Sequence, residues 1–195
     1  SSGQAQFIDE TKFWTQDGNI EIDSPAGDLF LKKFAGKYYL TGLLESSTFD
    51  TGAASNFTNL IWEPLAQPSA CGATPIKFQI ATAAVAAPET WNFLGPDGAS
   101  ATYYTASDTN ISSVHNDDRY LRYKLFLNTD SDKCTPQISD VAVSFTSGCT
   151  PPGQAFFSGL DSGTYTATVE LSGYQTVNTE IAVSGRTQAE ILMSP

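Results

Sequence analysis

Several groups of residues in this sequence have types and spacings that could do chemistry. Asp50-Thr51-Gly52 matches the triplet that carries the aspartate of an aspartic protease. That chemistry needs two carboxylates sharing a proton across a dimer or pseudo-dimer. The sequence holds one such triplet, followed by Ala53-Ala54-Ser55, so it reads instead as a strand closing in an Asx-type turn. His115 lies among Asn116, Asp117 and Asp118 with no nucleophile motif nearby, which favours a hydrogen-bonded loop histidine over a triad member. Asn128, Asp130 and Asp132 alternate like the opening of a calcium loop, with Asp117 or Asp118 as a further oxygen donor. The sixth-position glycine and closing glutamate of an EF-hand are missing, so calcium competes with a solvated acidic loop. Trp62, Trp91, Tyr103 and Tyr104 could stack on sugar rings, against the alternative that aromatics on strands are core. Asn56-Phe57-Thr58 and Asn110-Ile111-Ser112 are glycosylation sequons.

The cysteines are Cys71, Cys134 and Cys149. No CxxC occurs and there is 1 histidine, so zinc is not expected. Cys71 precedes IKFQIA and Cys134 precedes QISDVAV, both apparent strands. A loop-to-loop Cys71–Cys134 disulfide is the favoured pairing, against three free, half-buried thiols.

The elements that must position these groups are strands. In residues 119–145, Leu121, Tyr123, Leu125 and Leu127 alternate with Tyr120, Arg122, Lys124 and Phe126, the period of a half-buried strand. A polar run from Asn128 to Lys133 breaks it, and a second alternation through Val141, Val143 and Phe145 follows Pro136. Two such runs joined by a polar loop predict an antiparallel pair. Upstream, a hairpin is expected over about Thr11–Asp23, and a strand bounded by Gly42 and Gly52. Short strands are expected in FTNLIWEPL, IKFQIATAA, TWNFLGPDG and ATYYTAS. Turns at intervals of roughly 10 residues predict an all-β sandwich.

Composition agrees. Aromatics are 12% and charged residues 16%, with 15 Gly and 10 Pro, a mix that suits strands and turns over helices. The formal charge of −11 repels phosphate backbones, so nucleic acid is not an expected partner. No basic cluster offers a membrane-surface patch. No signal peptide or long apolar helix is recognisable, so no direct membrane span is expected and export would rely on a segment outside these residues.

From Gly42 to Phe145 the sequence resembles a bacterial extracellular jelly-roll module of pilin-like and cell-surface proteins. The words that carry this are Glu45–Gly52, Lys77–Thr82, Thr90–Gly98, Tyr103-Tyr104-Thr105 and Arg119–Lys124. The tail from Phe156 to Pro195 resembles the second half of a carboxypeptidase-regulatory-like (prealbumin-like) module, through Gly159-Leu160, Gly163–Thr166 and Gly173-Tyr174. These resemblances imply a jelly-roll-type β-sandwich plus a small prealbumin-like C-terminal β-module, with structural or adhesive roles.

The expected organisation is an N-terminal extension (1–27), a sandwich (28–147) and a small β-module (148–195). Phe7, Ile8, Phe13, Trp14, Ile20 and Ile22 give the extension apolar surplus, while the tail lacks opening strands. The extension is therefore expected to add a strand to its own tail or to a neighbour. In the competing account it pairs with the sandwich. The expected function is a non-catalytic, extracellular or cell-surface structural protein, a subunit or soluble part of a pilus-like filament. It would associate with itself or with other surface subunits, with no cofactor beyond calcium. The alternative is a carbohydrate-binding module.

Overall fold

The computed structural model describes residues 2–5, 7, 13–23, 26–147, 160–171, 173–184, 187 and 189–194. Cys149, the punctuation at 148–153, and Phe156 and Phe157 lie outside the described residues. The chain divides into two compact units, Ser1–Cys149 and Thr150–Pro195. The first holds β1 (Ser2–Ala5), β2 (Phe13–Gln16), β3 (Ile20–Asp23), β4 (Ala26–Leu31), β5 (Lys33–Phe34), β6 (Lys37–Tyr38), β7 (Thr41–Ser46), β8 (Phe49–Glu63), β9 (Ile76–Ala83), β10 (Thr109–Asn110), β11 (Asp118–Asn128), β12 (Gln137–Ile138) and β13 (Asp140–Ser147). The second holds β14 (Gly163–Val169) and β15 (Val177–Val183).

The fold of the first unit is an all-β sandwich built around β11. Its apolar row, Leu121, Tyr123, Leu125 and Leu127, is buried as the alternation predicts. An 8-stranded sheet runs β1-β13-β8-β11-β7-β2, with β10 on β8 and β9 on β11. The 15-residue β8 links its two arms: Phe49, Asp50 and Ser55 pair with β11, and Ser55–Glu63 pair with β13. The arms face each other across the core, where Trp62 of β8 tilts against Phe78 of β9 at 4.9 Å and Phe78 meets Tyr123 edge-on at 5.6 Å. A 3-stranded sheet, β12-β4-β3, adds Ile138, Leu29, Leu31 and Ile20 to the same core.

Several expected pairings differ. β11 and β13 are not neighbours, because β8 lies between them. Gly52 does not end a strand. It takes φ +86° inside β8, where Thr51–Ala54 bulge away from the ladder, and the strand continues to Glu63. β2 and β3 are not a hairpin, since β2 pairs with β7 and β3 with β4. TWNFLGPDG and ATYYTAS are loop, held to β9 by the Ile80–Leu94 and Phe78–Tyr104 bridges and by the Gln79 side-chain amide, which donates to the Ser100 and Thr102 carbonyls. The loop doubles back so tightly that a Cβ on Gly95 would run into the backbone of Thr102. Asp97 fastens the turn, accepting from the Ala99 amide at 2.9 Å and from the Thr102 hydroxyl.

The N-terminal segment is spent on the sandwich. β1 is the edge strand beside β13, and Phe7 is fully buried in the core with its amide donating to the Gly27 carbonyl at 3.0 Å. Strand donation to the tail is thereby corrected: the backbone of β1 and the ring of Phe7 already have partners in the first unit.

In the second unit β14 and β15 form an antiparallel ribbon. One face pairs Tyr165 with Ile181, Ala167 with Thr179 and Val169 with Val177. The other pairs Thr166 with Glu180 and Thr168 with Asn178, where the Thr168 hydroxyl donates to the Asn178 side-chain oxygen at 2.6 Å.

Candidate ligand-binding face

The side chains of β11 that alternate away from the core form a line: Arg122, Lys124, Phe126, Asn128. Register places Lys124 between Glu45 and Gln79, Phe126 between Leu43 and Lys77, and Asn128 beside Thr41. Aromatic rings from the edge strand β2 and from the loop after β9 close over this line. Trp14, on the edge strand β2, and Trp91, on the loop after β9, flank the Arg122 guanidinium, with ring centroids at 4.4 and 4.8 Å. Phe93 lies 4.0 Å from the Lys124 ammonium. Tyr103 meets Phe126 edge-on at 5.2 Å, with the Lys77 ammonium 5.7 Å from its centroid.

The two cations under the rings share one carboxylate. Arg122 is 7% exposed, donates to the Glu45 carboxylate at 2.8 Å and to the Thr48 hydroxyl at 2.8 Å. Lys124 lies 3.8 Å from the same carboxylate. A guanidinium held between two ring faces and a carboxylate is a rigid support. Trp14, stacked on it, is nevertheless 67% exposed and shows solvent its other surface.

At the far end of the line is an open cleft of about 380 Å³, lined among others by Thr41, Thr74, Lys77, Asn128 and Asp130. The Asp130 carboxylate lies against Gly72, where any Cβ would collide with it. The cleft borders the Cys71–Cys134 disulfide, whose Cα atoms are 5.3 Å apart. The Asp130 amide donates to the Cys71 carbonyl at 3.1 Å, so the bridge fixes the cleft wall.

The residues expected to bind ligands are divided by this geometry. Of the four aromatics, Trp62 and Tyr104 are core, 3% and 0% exposed, and the Tyr104 hydroxyl accepts from the Ser112 amide at 3.1 Å. Neither can meet a sugar ring. Trp91 and Tyr103 are on the outer face. Asn128 and Asp130 line the cleft, but Asp132 is paired with Lys37 at 2.8 Å, and the hydrogen bond from that ammonium holds its carboxyl below the usual range. Asp118 is at the opposite end of β11 from Asn128, roughly 34 Å along an extended strand. Asp117 and Asp118 therefore cannot complete a calcium site with Asn128. Among the described residues no group of three or more His, Cys, Asp or Glu is placed to hold a metal ion. Nothing in the sequence alone marks Trp14, Phe93, Lys77 and Arg122 as ligand-binding residues. The nearest signal is the pair of cations alternating on a strand whose other side is wholly apolar.

The remaining groups have structural partners. Asp50 accepts from the Gly52 amide at 2.8 Å and forms a two-pronged pair with Arg119 at 2.7 and 2.9 Å, so its carboxyl is held low by the guanidinium. His115 is 2% exposed in a short 3-10 turn, Ser113–His115. The Thr82 hydroxyl spends its one proton on Asp118 at 2.7 Å, so at 3.1 Å it can only accept from His115 Nδ1–H. Nε2 then carries the lone pair and has no partner among the described residues. Burial lowers the pKa of this imidazole from 6.5 to about 4, against the opposing pull of Asp118. Asn56 and Asn110 of the sequons are both exposed.

Compared with protein-family models, with curated proteins and with solved structures, the chain matches none.

Proposed function

We propose that this protein is a non-catalytic structural subunit of an extracellular or cell-surface assembly, with the sandwich as its rigid body and the C-terminal ribbon as its joint. The jelly-roll and prealbumin-like character of the two units belongs to this reading. The observation that carries it is the ribbon. An isolated two-stranded ribbon is at best marginally stable in water. In β14 and β15, Ala167, Val169, Val177, Ile181 and Val183 share one half-buried apolar face, and among the described residues each strand pairs on one side only. A second copy laying its ribbon alongside would cover that face and continue the ladder. The Cys71–Cys134 disulfide supports export, because such bonds persist in oxidising compartments. Among the described residues, no helix is long and apolar enough to cross a membrane.

Sedimentation velocity of the full chain over a concentration series tests this. Association that Ile181→Glu abolishes, with the melting transition of the sandwich unchanged, is the expected result. A wild-type chain that stays monomeric throughout would overturn the proposal.

A further inference from the structure

The outer face of β11 is built in a way that self-association through the ribbon does not use. We propose that this face binds a linear, neutral polysaccharide, with its pyranose rings stacked on Trp14 and Tyr103 and one ring's hydroxyls held in the cleft at Asn128.

Three observations converge on that ligand. The rings come first. Trp14 is 67% exposed and Tyr103 36%, yet both are held by neighbours, Trp14 by Arg122 and Tyr103 by Phe126 and Lys77. Aromatic faces held this way offer the flat apolar surface that the C–H side of a sugar ring covers, at little further entropic cost. Spacing is the second. Arg122 and Asn128 are six residues apart on one strand, so the line of rings and cleft runs roughly 20 Å. That suits a chain of several pyranose units better than a single sugar.

The third is the polar chemistry of the cleft. Thr41, Thr74, the Lys77 ammonium and the Asp130 carboxylate line it, and none has a side-chain hydrogen bond or ion pair among the described residues. An unpaired donor and an unpaired acceptor in one cleft match the hydroxyls of a sugar, which donate and accept. The cations further along the line, Arg122 and Lys124, already share Glu45. Arg122, Lys124 and Lys77 stand against Glu45 and Asp130, so the local charge is close to balanced, and the chain charge of −11 repels a polyanion at longer range. A neutral ligand fits that balance.

Native affinity electrophoresis of the full chain is the test. The gels contain mixed-linkage β-glucan, xylan or dextran, with polygalacturonate as the anionic comparator. At least one neutral polymer is expected to retard the wild type, and to shift its tryptophan emission in solution. Trp14→Ala and Asp130→Asn should each weaken that binding about tenfold, the scale of one lost aromatic or charge-assisted contact. Leu65→Ala, at an exposed site away from this face, should leave it unchanged. No retardation by any neutral polymer, stronger retardation in polygalacturonate, or unaltered binding by folded Trp14→Ala and Asp130→Asn proteins would each overturn the proposal. None of these results bears on whether the chain self-associates.

Discussion

Arg122 and His115 are buried polar side chains on or beside β11 with opposite fates. Arg122 is accommodated in the fold because Glu45, Thr48 and two indole faces replace its water. Truncating it strands the Glu45 carboxylate with Lys124 at 3.8 Å and leaves Trp14 unsupported. Arg122→Ala should therefore cost about 3 kcal/mol in urea unfolding, the scale of a broken buried pair. A loss under about 1 kcal/mol would place the pair with exposed salt bridges. His115 is instead buried neutral. Its pKa is 6.5 when free and about 4 in the fold, so the unfolded chain takes up the proton first as pH falls. The stability tied to it is whole above pH 6.5 and drains away toward pH 4, by up to about 3 kcal/mol. Unfolding midpoints of the wild type and of His115→Gln, measured from pH 7 to pH 4.5, check this. The wild type should lose stability more steeply, and parallel curves would contradict it. The sequence disclosed a histidine without a nucleophile. It could not disclose the burial, because Thr82 and Asp118, which settle its tautomer, come from β9 and β11.

At the scale of elements, the alternation in β11 was legible because one face is wholly apolar, and the pairing around it was not. A hydrophobic period says which way a side chain points but not which strand lies alongside, so β13 was expected where β8 sits. Gly52 reads as a stop in sequence because glycine marks both turns and bulges, and its φ of +86° inside β8 makes it a bulge. TWNFLGPDG and ATYYTAS carry strand-like aromatics whose work is to cover the outer face, the signal that sequence could not separate from a strand. The Cys71–Cys134 pairing was readable from two loop cysteines, each just before a strand, Cys71 before β9 and Cys134 before β12; what brings them together is that β9 pairs with β11, whose following loop carries Cys134. The bridge spans a sequence separation of 63 residues, so it restricts the unfolded chain considerably. Its reduction should cost about 2–5 kcal/mol and loosen the cleft wall at Asp130. A melting temperature unchanged by reductant would show that the two segments hold without it.

At the scale of the whole molecule, the N-terminal segment and the tail were expected to complete each other because each carries apolar residues in excess. The first half of that expectation fails for a plain reason: Phe7 and Ile20 are needed in the sandwich core. The tail's need remains on its own ribbon, and the account assigns that need to a second copy of the chain. The most direct measurement is amide hydrogen exchange at low and high protein concentration. Protection in β14 and β15 should rise with concentration while that in β11, already buried, stays constant. Exchange in the ribbon that is the same at every concentration would contradict assembly through it.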